Sequence, residues 1–252
     1  MLNPLDLTGK KIFVAGASSG IGRAVAVYLS KLGANIAIAA RREDKLQETL
    51  SVMEGENHRY YVCDFNNTDT IEPVVAAAVK DIGPFSGLVY SAGLSQMRPL
   101  AMLRTSDINA VMTVNLYAFV EFAKCITKKK NVTTPASIVA VSSVASLLGD
   151  KAKLSYCSSK AALEASTRCM AKELGHRGIR VNTIRPTWVN TGMMDVFFKE
   201  WKDSADAESH LAQHYAGVVQ PDELAAMCAF LLSDNSKTIT GTAISIDSGR
   251  LA

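Results

Sequence analysis

The sequence has few of the features that would mark a secreted, membrane-bound or nucleic-acid-binding protein. Its five cysteines (63, 125, 157, 169 and 228) are scattered, and none forms a C-x-x-C pair. An odd number at such spacings fits reduced thiols rather than a disulfide framework. No window reaches the length of a membrane span without a charge or a glycine. The opening "MLNPLDLTGKKIFVAGA" shows no charged region leading into a long apolar stretch and a cleavage site. A cytoplasmic protein with no membrane association is therefore expected. Net charge is only +3, too little for nucleic-acid binding by bulk electrostatics. Histidine is scarce, at positions 58, 176, 210 and 214. His210 and His214 share i,i+4 spacing but have no clear third ligand, so they read as surface or lid residues and no metal is expected. Linkers, low-complexity tracts and short-period repeats are also missing.

What is present is a regular alternation. The chain has 252 residues, 48% of them apolar, enough for a substantial core. Strands are expected at 11–17, 35–40, 59–65, 87–93, 136–143, 179–186 and 241–249. Helices are expected at 21–33, 42–53, 69–82, 105–129, 153–176 and 221–234. An irregular stretch spans 187–219. The strand segments lack polar alternation, as expected when both faces of a sheet are covered. Strands alternating with helices imply parallel βαβ units. The reading is an α/β fold: one doubly wound domain over 1–252 with a seven-stranded parallel sheet.

"GASSGIG" (16–22) lies between the first strand and the first helix. Gly16 suits a tight turn, Gly20 the close approach of backbone to a phosphate, and Gly22 close packing of helix on sheet. The helix N-terminus then offers N–H groups to an anion. Its spacing is G-x-x-x-G-x-G. At the end of the second strand an acid would grip a ribose 2′-hydroxyl, whereas an arginine accommodates a 2′-phosphate. The sequence there is "AARRED". Ala40 stands in the acidic place, and Arg41 and Arg42 follow with the charge and fork geometry a phosphate needs. NADP is therefore favoured over NAD, with Arg41 the better candidate of the two.

In "SYCSSK" (155–160), Tyr156 and Lys160 stand four residues apart, one turn apart on a helix. A nearby ammonium favours the phenolate and lowers a phenol pKa from about 10. That makes the hydroxyl useful as an acid or base near neutrality. By itself the spacing reads as a surface pair on an ordinary helix. Cys157 reads as a packing residue rather than a nucleophile.

With these motifs in order, the chain resembles the short-chain dehydrogenase/reductase family, single-domain type, over almost its whole length. The likeness rests on G16-A-S-S-G20-I-G22, Asp64, S91-A-G93, Asn115, Ser143, Y156-C-S-S-K160 and P186-T-W-V-N-T191. Among relatives it looks most like 3-oxoacyl carrier-protein reductases. The resemblance implies hydride transfer between a nicotinamide and a carbonyl or secondary alcohol, with Tyr156 as proton donor or acceptor. Lys160 would lower the Tyr156 pKa and hold the nicotinamide ribose. Ser143 would polarise the substrate oxygen, with Ser142 as the alternative. Asn115 would hold a relay water behind Lys160, or simply satisfy backbone groups inside its helix. Ser18, Ser19 and Ile21 would join the three glycines at the cofactor. Asp64 would meet the adenine; Ser91, Ala92, Gly93, Pro186, Val189 and Thr191 would complete the site, Thr191 and Val189 at the carboxamide.

Three positions depart from the family pattern. Ala15 replaces a threonine, Tyr90-Ser91 replaces Asn-Asn, and Thr187 follows Pro186 where glycine is usual. A catalytically weak NADP-binding sensor or scaffold is the alternative they motivate; an epimerase or dehydratase fits the short chain poorly. The substrate loop is expected at 187–219, with Trp188, Met193, Met194, Phe197, Phe198 and Trp201 as an apolar lid or as core contacts. Lys128, Lys129 and Lys130 would dock an acidic carrier protein or stabilise a helix end. A homotetramer, or a dimer, is expected through helices 105–129 and 153–176, using Val111, Val114, Phe119, Phe122, Leu163 and Met170.

Overall fold

The computed structural model describes residues 5–192, 194 and 212–252. Seven parallel strands form one sheet: β1 (Lys11–Ala15), β2 (Asn35–Ala40), β3 (Arg59–Val62), β4 (Phe85–Tyr90), β5 (Val132–Val141), β6 (Ile179–Pro186) and β7 (Ala243–Ile246). Their order is β3-β2-β1-β4-β5-β6-β7, as expected for a doubly wound sheet. The helices are α1 (Gly20–Lys31), α2 (Glu43–Leu50), α3 (Ile71–Ile82), α4 (Thr105–Met112), α5 (Ala118–Ile126), α6 (Ala145–Leu148), α7 (Leu154–Leu174) and α8 (Pro221–Leu232). No helix among the described residues is long and apolar enough to cross a membrane.

The unbroken apolar strands are explained by the two layers they serve. Ile12 and Val14 pack with α1 and α8, while Phe13 and Ala15 pack with α3, α5 and α7. Successive side chains point to opposite faces, so a strand covered on both sides has no polar face. Strand order reverses at β1, which lies between β2 and β4. A crevice opens at the carboxyl ends of strands beside such a point.

Several boundaries move, with consequences for the site. Strand β4 ends at Tyr90, so Ser91–Gly93 form a turn rather than more strand. Strand β5 ends at Val141, releasing Ser142 and Ser143 into the following loop. The long helix expected at 105–129 is interrupted by a π turn, Thr113–Tyr117, between α4 and α5. The segment read as irregular at 187–219 is pinned near its ends: Val189 bridges Val219, and Asn190 N–H donates to the Val219 carbonyl at 2.9 Å.

Candidate active site

A cavity of about 620 Å³ opens at the carboxyl edge of the sheet, lined by residues that follow each of the seven strands. It gathers every residue the sequence pointed to for cofactor or chemistry except Asn115. The glycine turn forms one wall. Gly16 has φ +93°, and a Cβ there would stand 2.5 Å from the Ala92 nitrogen. A Cβ on Gly22 would lie 2.3 Å from both the Gly16 carbonyl oxygen and Ser91 Oγ. Glycine at these positions therefore lets the turn, α1 and the Ser91–Gly93 turn meet backbone to backbone. Ser91 takes part directly: its hydroxyl donates to the carbonyls of Ala15 at 3.0 Å and Gly16 at 3.3 Å. Its shorter reach is sufficient because its targets are at the end of β1.

At the outer end of this wall, Arg42 Nη2 donates to Ser18 Oγ at 3.1 Å and Ser19 Oγ at 2.8 Å. Arg41 also lines the cavity and is exposed. Arg42, rather than the favoured Arg41, is the arginine tied to the glycine turn. Ala40, nearly buried at the end of β2, brings no carboxylate. Asp64 reaches the cavity after β3, with Oδ1 held by the Asn66 backbone N–H at 3.1 Å and side-chain amide at 2.8 Å. Bare backbone and two guanidiniums at a helix N-terminus suit a dinucleotide phosphate chain, so the residues present fit such a cofactor.

Tyr156 and Lys160 share the cavity-facing side of α7. The Tyr156 ring is partly exposed to the cavity, on the side where Ser143 also lines it, and Ser143 Oγ accepts from the Ala145 N–H at 3.2 Å. Burial raises the phenol above its ordinary value of 10.0, and the Ser143 hydroxyl opposes this. Lys160 Nζ stands 5.8 Å from the ring centroid and donates instead to the Val141 carbonyl at 2.8 Å. Burial pulls the Lys160 ammonium down from 10.5 to about 8, with Glu164 opposing. Cys157 is also raised, burial first, away from a reactive thiolate.

A carboxylate distinguishes the surroundings of the two serines. Ser142 is buried and donates its hydroxyl to Glu164 Oε1 at 2.6 Å, while Ser143 faces Tyr156. Glu164 also accepts from Ser146 Oγ at 2.8 Å and from Arg185, at 2.9 Å from Nε and 2.7 Å from Nη2. Those bonds keep this buried acid below the usual carboxylate value although burial pushes the other way. Sequence reading missed Glu164 and Arg185. The available signal was position: Glu164 follows Lys160 by four residues on the same helix.

Asn115 is fully buried in the π turn and stands behind the cavity wall. Its Oδ1 accepts from the Leu94 N–H at 2.7 Å, and its Nδ2 donates to the Leu94 carbonyl at 3.0 Å and Ser159 Oγ at 2.8 Å. The bonds to Leu94 reach out of the helix to the loop after β4, not to backbone groups inside the helix itself. A Cβ on Gly93 would lie 3.5 Å from Lys160 Nζ and 3.9 Å from Asn115 Oδ1, so the three residues converge.

Pro186, Val189 and Thr191 line the other wall, and Thr191 faces the glycine turn, its Cγ2 3.5 Å from a Cβ built on Gly20. Of the surface and lid readings of His214, burial removes the first. His214 is only 6% exposed, and its Nε2 lies 2.8 Å from Thr187 Oγ1. Its ring centroid is 5.9 Å from that of Trp188, and Arg250 Nη1 donates to Thr187 Oγ1 at 3.3 Å. The hydroxyl that replaces glycine thus ties the beginning of the 187–219 segment to its end and to the C-terminal turn. Arg250, also on the cavity wall, had no sequence signal. Trp188 and Met194 line the cavity; Met193, Phe197, Phe198, Trp201 and His210 lie outside the described residues.

Lys128–Lys130 are not part of this site. They precede β5, at the amino edge of the sheet, while the cavity is at the carboxyl edge, and Lys128 is paired with Glu72. Their position fits a helix end better than delivery of a substrate to Tyr156.

The chain matches a family model described as enoyl-(acyl carrier protein) reductase over residues 16–250. A 3-oxoacyl-[acyl-carrier-protein] reductase of Rickettsia conorii is 31% identical over 248 residues, covering 98% of this chain and 99% of the relative. The chain belongs to the short-chain dehydrogenase/reductase family. An L-xylulose reductase of Caenorhabditis elegans is 32% identical, covering 97% of this chain and 96% of the relative. Among solved structures, a single-substitution variant of an actinorhodin polyketide ketoreductase with NADPH is 28% identical, with a TM-score of 0.89 over 96% of this chain and 97% of that one. Membership of this oxidoreductase family agrees with a short-chain dehydrogenase/reductase sheet carrying its cavity at the strand-order reversal.

Proposed function

We propose that the protein is an NADP(H)-dependent reductase of a carbonyl compound, or the reverse alcohol dehydrogenase, with Tyr156 as the proton donor or acceptor. The observation that carries this reading is the Tyr156–Ser143 pair, backed by Lys160, in the same cavity as the glycine turn. Bound there, the nicotinamide cofactor would supply the hydride. Ser143 would orient the substrate oxygen, and Tyr156 would pass it a proton. Lys160 would carry the cofactor ribose and replenish that proton, with Asn115 in the relay behind it. Gly16, Gly20 and Gly22 would admit the phosphates. The preference for NADP over NAD rests on Ala40, Arg41 and Arg42.

A 3-oxoacyl thioester or a related small ketone is the proposed substrate class, supported by the reductases the chain is similar to. The segment 187–219 is the proposed substrate loop of a single 1–252 domain, in a cytoplasmic enzyme acting on small molecules. A homotetramer is proposed, with a dimer as the alternative. Of the six residues assigned to that interface, Val111, Phe119, Phe122 and Leu163 are fully buried within one chain. Exposed Tyr117 and Leu154 replace them as candidate contacts, and light scattering of a monomer would remove the proposal.

The test is NADPH oxidation over a panel of 3-oxoacyl thioesters, small ketones and keto sugars, with Tyr156→Phe alongside. Turnover abolished in the variant with NADPH binding retained supports the reading. Tight NADPH binding with no turnover of any panel member would favour the sensor reading instead.

A further inference from the structure

Tyr90 stands where the family pattern has asparagine, at the end of β4. It is fully buried among aromatic rings, with centroids 5.5 Å from Phe119, 6.0 Å from Phe122 and 6.2 Å from Phe65. Such packing requires only a ring, and phenylalanine would fill it. A buried hydroxyl is costly unless it finds an acceptor. The acceptor here is the backbone carbonyl of Val114, to which Tyr90 Oη donates a hydrogen bond. Burial raises this phenol far above its ordinary value, so it remains a donor at any working pH.

Val114 lies inside the π turn, where the regular helical ladder is interrupted, and it lines the cavity. The peptide whose carbonyl Tyr90 holds is the one that leads into Asn115. Asn115 in turn binds both backbone groups of Leu94 and the hydroxyl of Ser159, the residue before Lys160. A continuous set of contacts therefore runs from Tyr90 through the π turn to the two backbone segments on either side of Lys160.

We propose that Tyr90 is a positioning residue for the reaction: its hydroxyl fixes the 114–115 peptide, so that Asn115 holds the Gly93–Leu94 turn and the Ser159–Lys160 turn in register. The proposal rests on the reductase reading for its kinetic consequence, but not for its structural one. Tyr90 is not among the residues lining the cavity, so it acts only through Asn115 and the segments Asn115 holds.

The test is Tyr90→Phe, alone and combined with Asn115→Ala, assayed with NADPH and the most rapidly reduced member of the panel above. Loss of the hydroxyl should lower kcat about tenfold, the size of one lost hydrogen bond. In the Asn115→Ala background it should lower kcat no further. Hydrogen exchange provides a readout independent of turnover. The Leu94 amide, bonded to Asn115 Oδ1, should lose about tenfold of its protection in Tyr90→Phe, while the β2 amides keep theirs. An unchanged kcat, losses that multiply in the double variant, or unchanged Leu94 protection would overturn the proposal. If the wild-type protein reduces nothing on the panel, the reductase reading fails, and Leu94 exchange alone decides the role of Tyr90.

Discussion

At the scale of single residues, burial sets the protonation chemistry. Lys160 has a folded pKa of about 8 against an ordinary 10.5. Between those values the unfolded chain holds a proton that the folded chain lacks, so this residue makes the cofactor-free protein more stable as pH rises through that window. The full effect is roughly 3 kcal/mol by the usual conversion. Lys160→Met should abolish that rise, as read by urea melts from about pH 7 to 10. The serines make a second pair of predictions. Ser143→Ala removes the hydroxyl beside Tyr156 and should cost kcat about a hundredfold. Ser142→Ala removes a bond to Glu164 and a long one to the Lys160 carbonyl, and should lower stability by about 1 kcal/mol with a much smaller kinetic effect. Reversal of those two outcomes in steady-state assays would reassign the substrate-facing serine.

At the scale of elements, the site depends on how strand ends meet helices. Helix α1 approaches the sheet only because position 22 has no side chain. Gly22→Ala forces atoms into the Gly16 carbonyl and the Ser91 hydroxyl. Overpacking of this kind costs about 1–3 kcal/mol, which should lower Tm by about 5 °C in a chain of this size and weaken NADPH binding. The Glu164–Arg185 pair joins α7 to β6 at 2.7 Å, with the β5–α6 loop bonded to the same carboxylate. Glu164→Gln leaves the partly buried Arg185 guanidinium without its counter-charge and should destabilise the fold by about 3 kcal/mol in denaturant melts. Arg42 belongs to this scale too, because it clasps the glycine turn from the end of β2. Arg42→Ala should reduce kcat/KM for NADPH about tenfold or more while affecting NADH much less, the difference being the 2′-phosphate contact.

At the scale of the whole molecule, the cavity exists because the carboxyl ends of the parallel strands lie together along the edge where strand order reverses. The residues that build it are spread along the chain from the glycine turn to Arg250, yet they meet at that edge. Lys128–Lys130 show the reverse: a conspicuous basic run, close in sequence to β5, lies at the opposite edge. A ligand that binds only the folded protein stabilises it by mass action. Saturating NADPH should therefore raise Tm by several degrees, and NADH at the same concentration by less. Equal shifts in a thermal melt would remove the argument for NADP made from Ala40, Arg41 and Arg42.

The sequence by itself determined the sheet, its parallel layers and most of the cavity lining. Continuous apolar strands, a glycine turn between strand and helix, and the Tyr156–Lys160 spacing are local patterns with few physical solutions. Tertiary structure decided what depends on contacts between distant segments. It directed Ser142 to Glu164 and Ser143 to Tyr156, a choice no spacing could make. Lys160 was aimed at the Val141 carbonyl, and burial reversed the expected shift of Tyr156. The unusual residues also gained their contacts only in the fold: Ser91 on the end of β1, Tyr90 on the π turn, and Thr187 with His214 and Arg250. Short-range periodicity specifies which face a residue occupies; direction, burial and partner come only when that face meets another element.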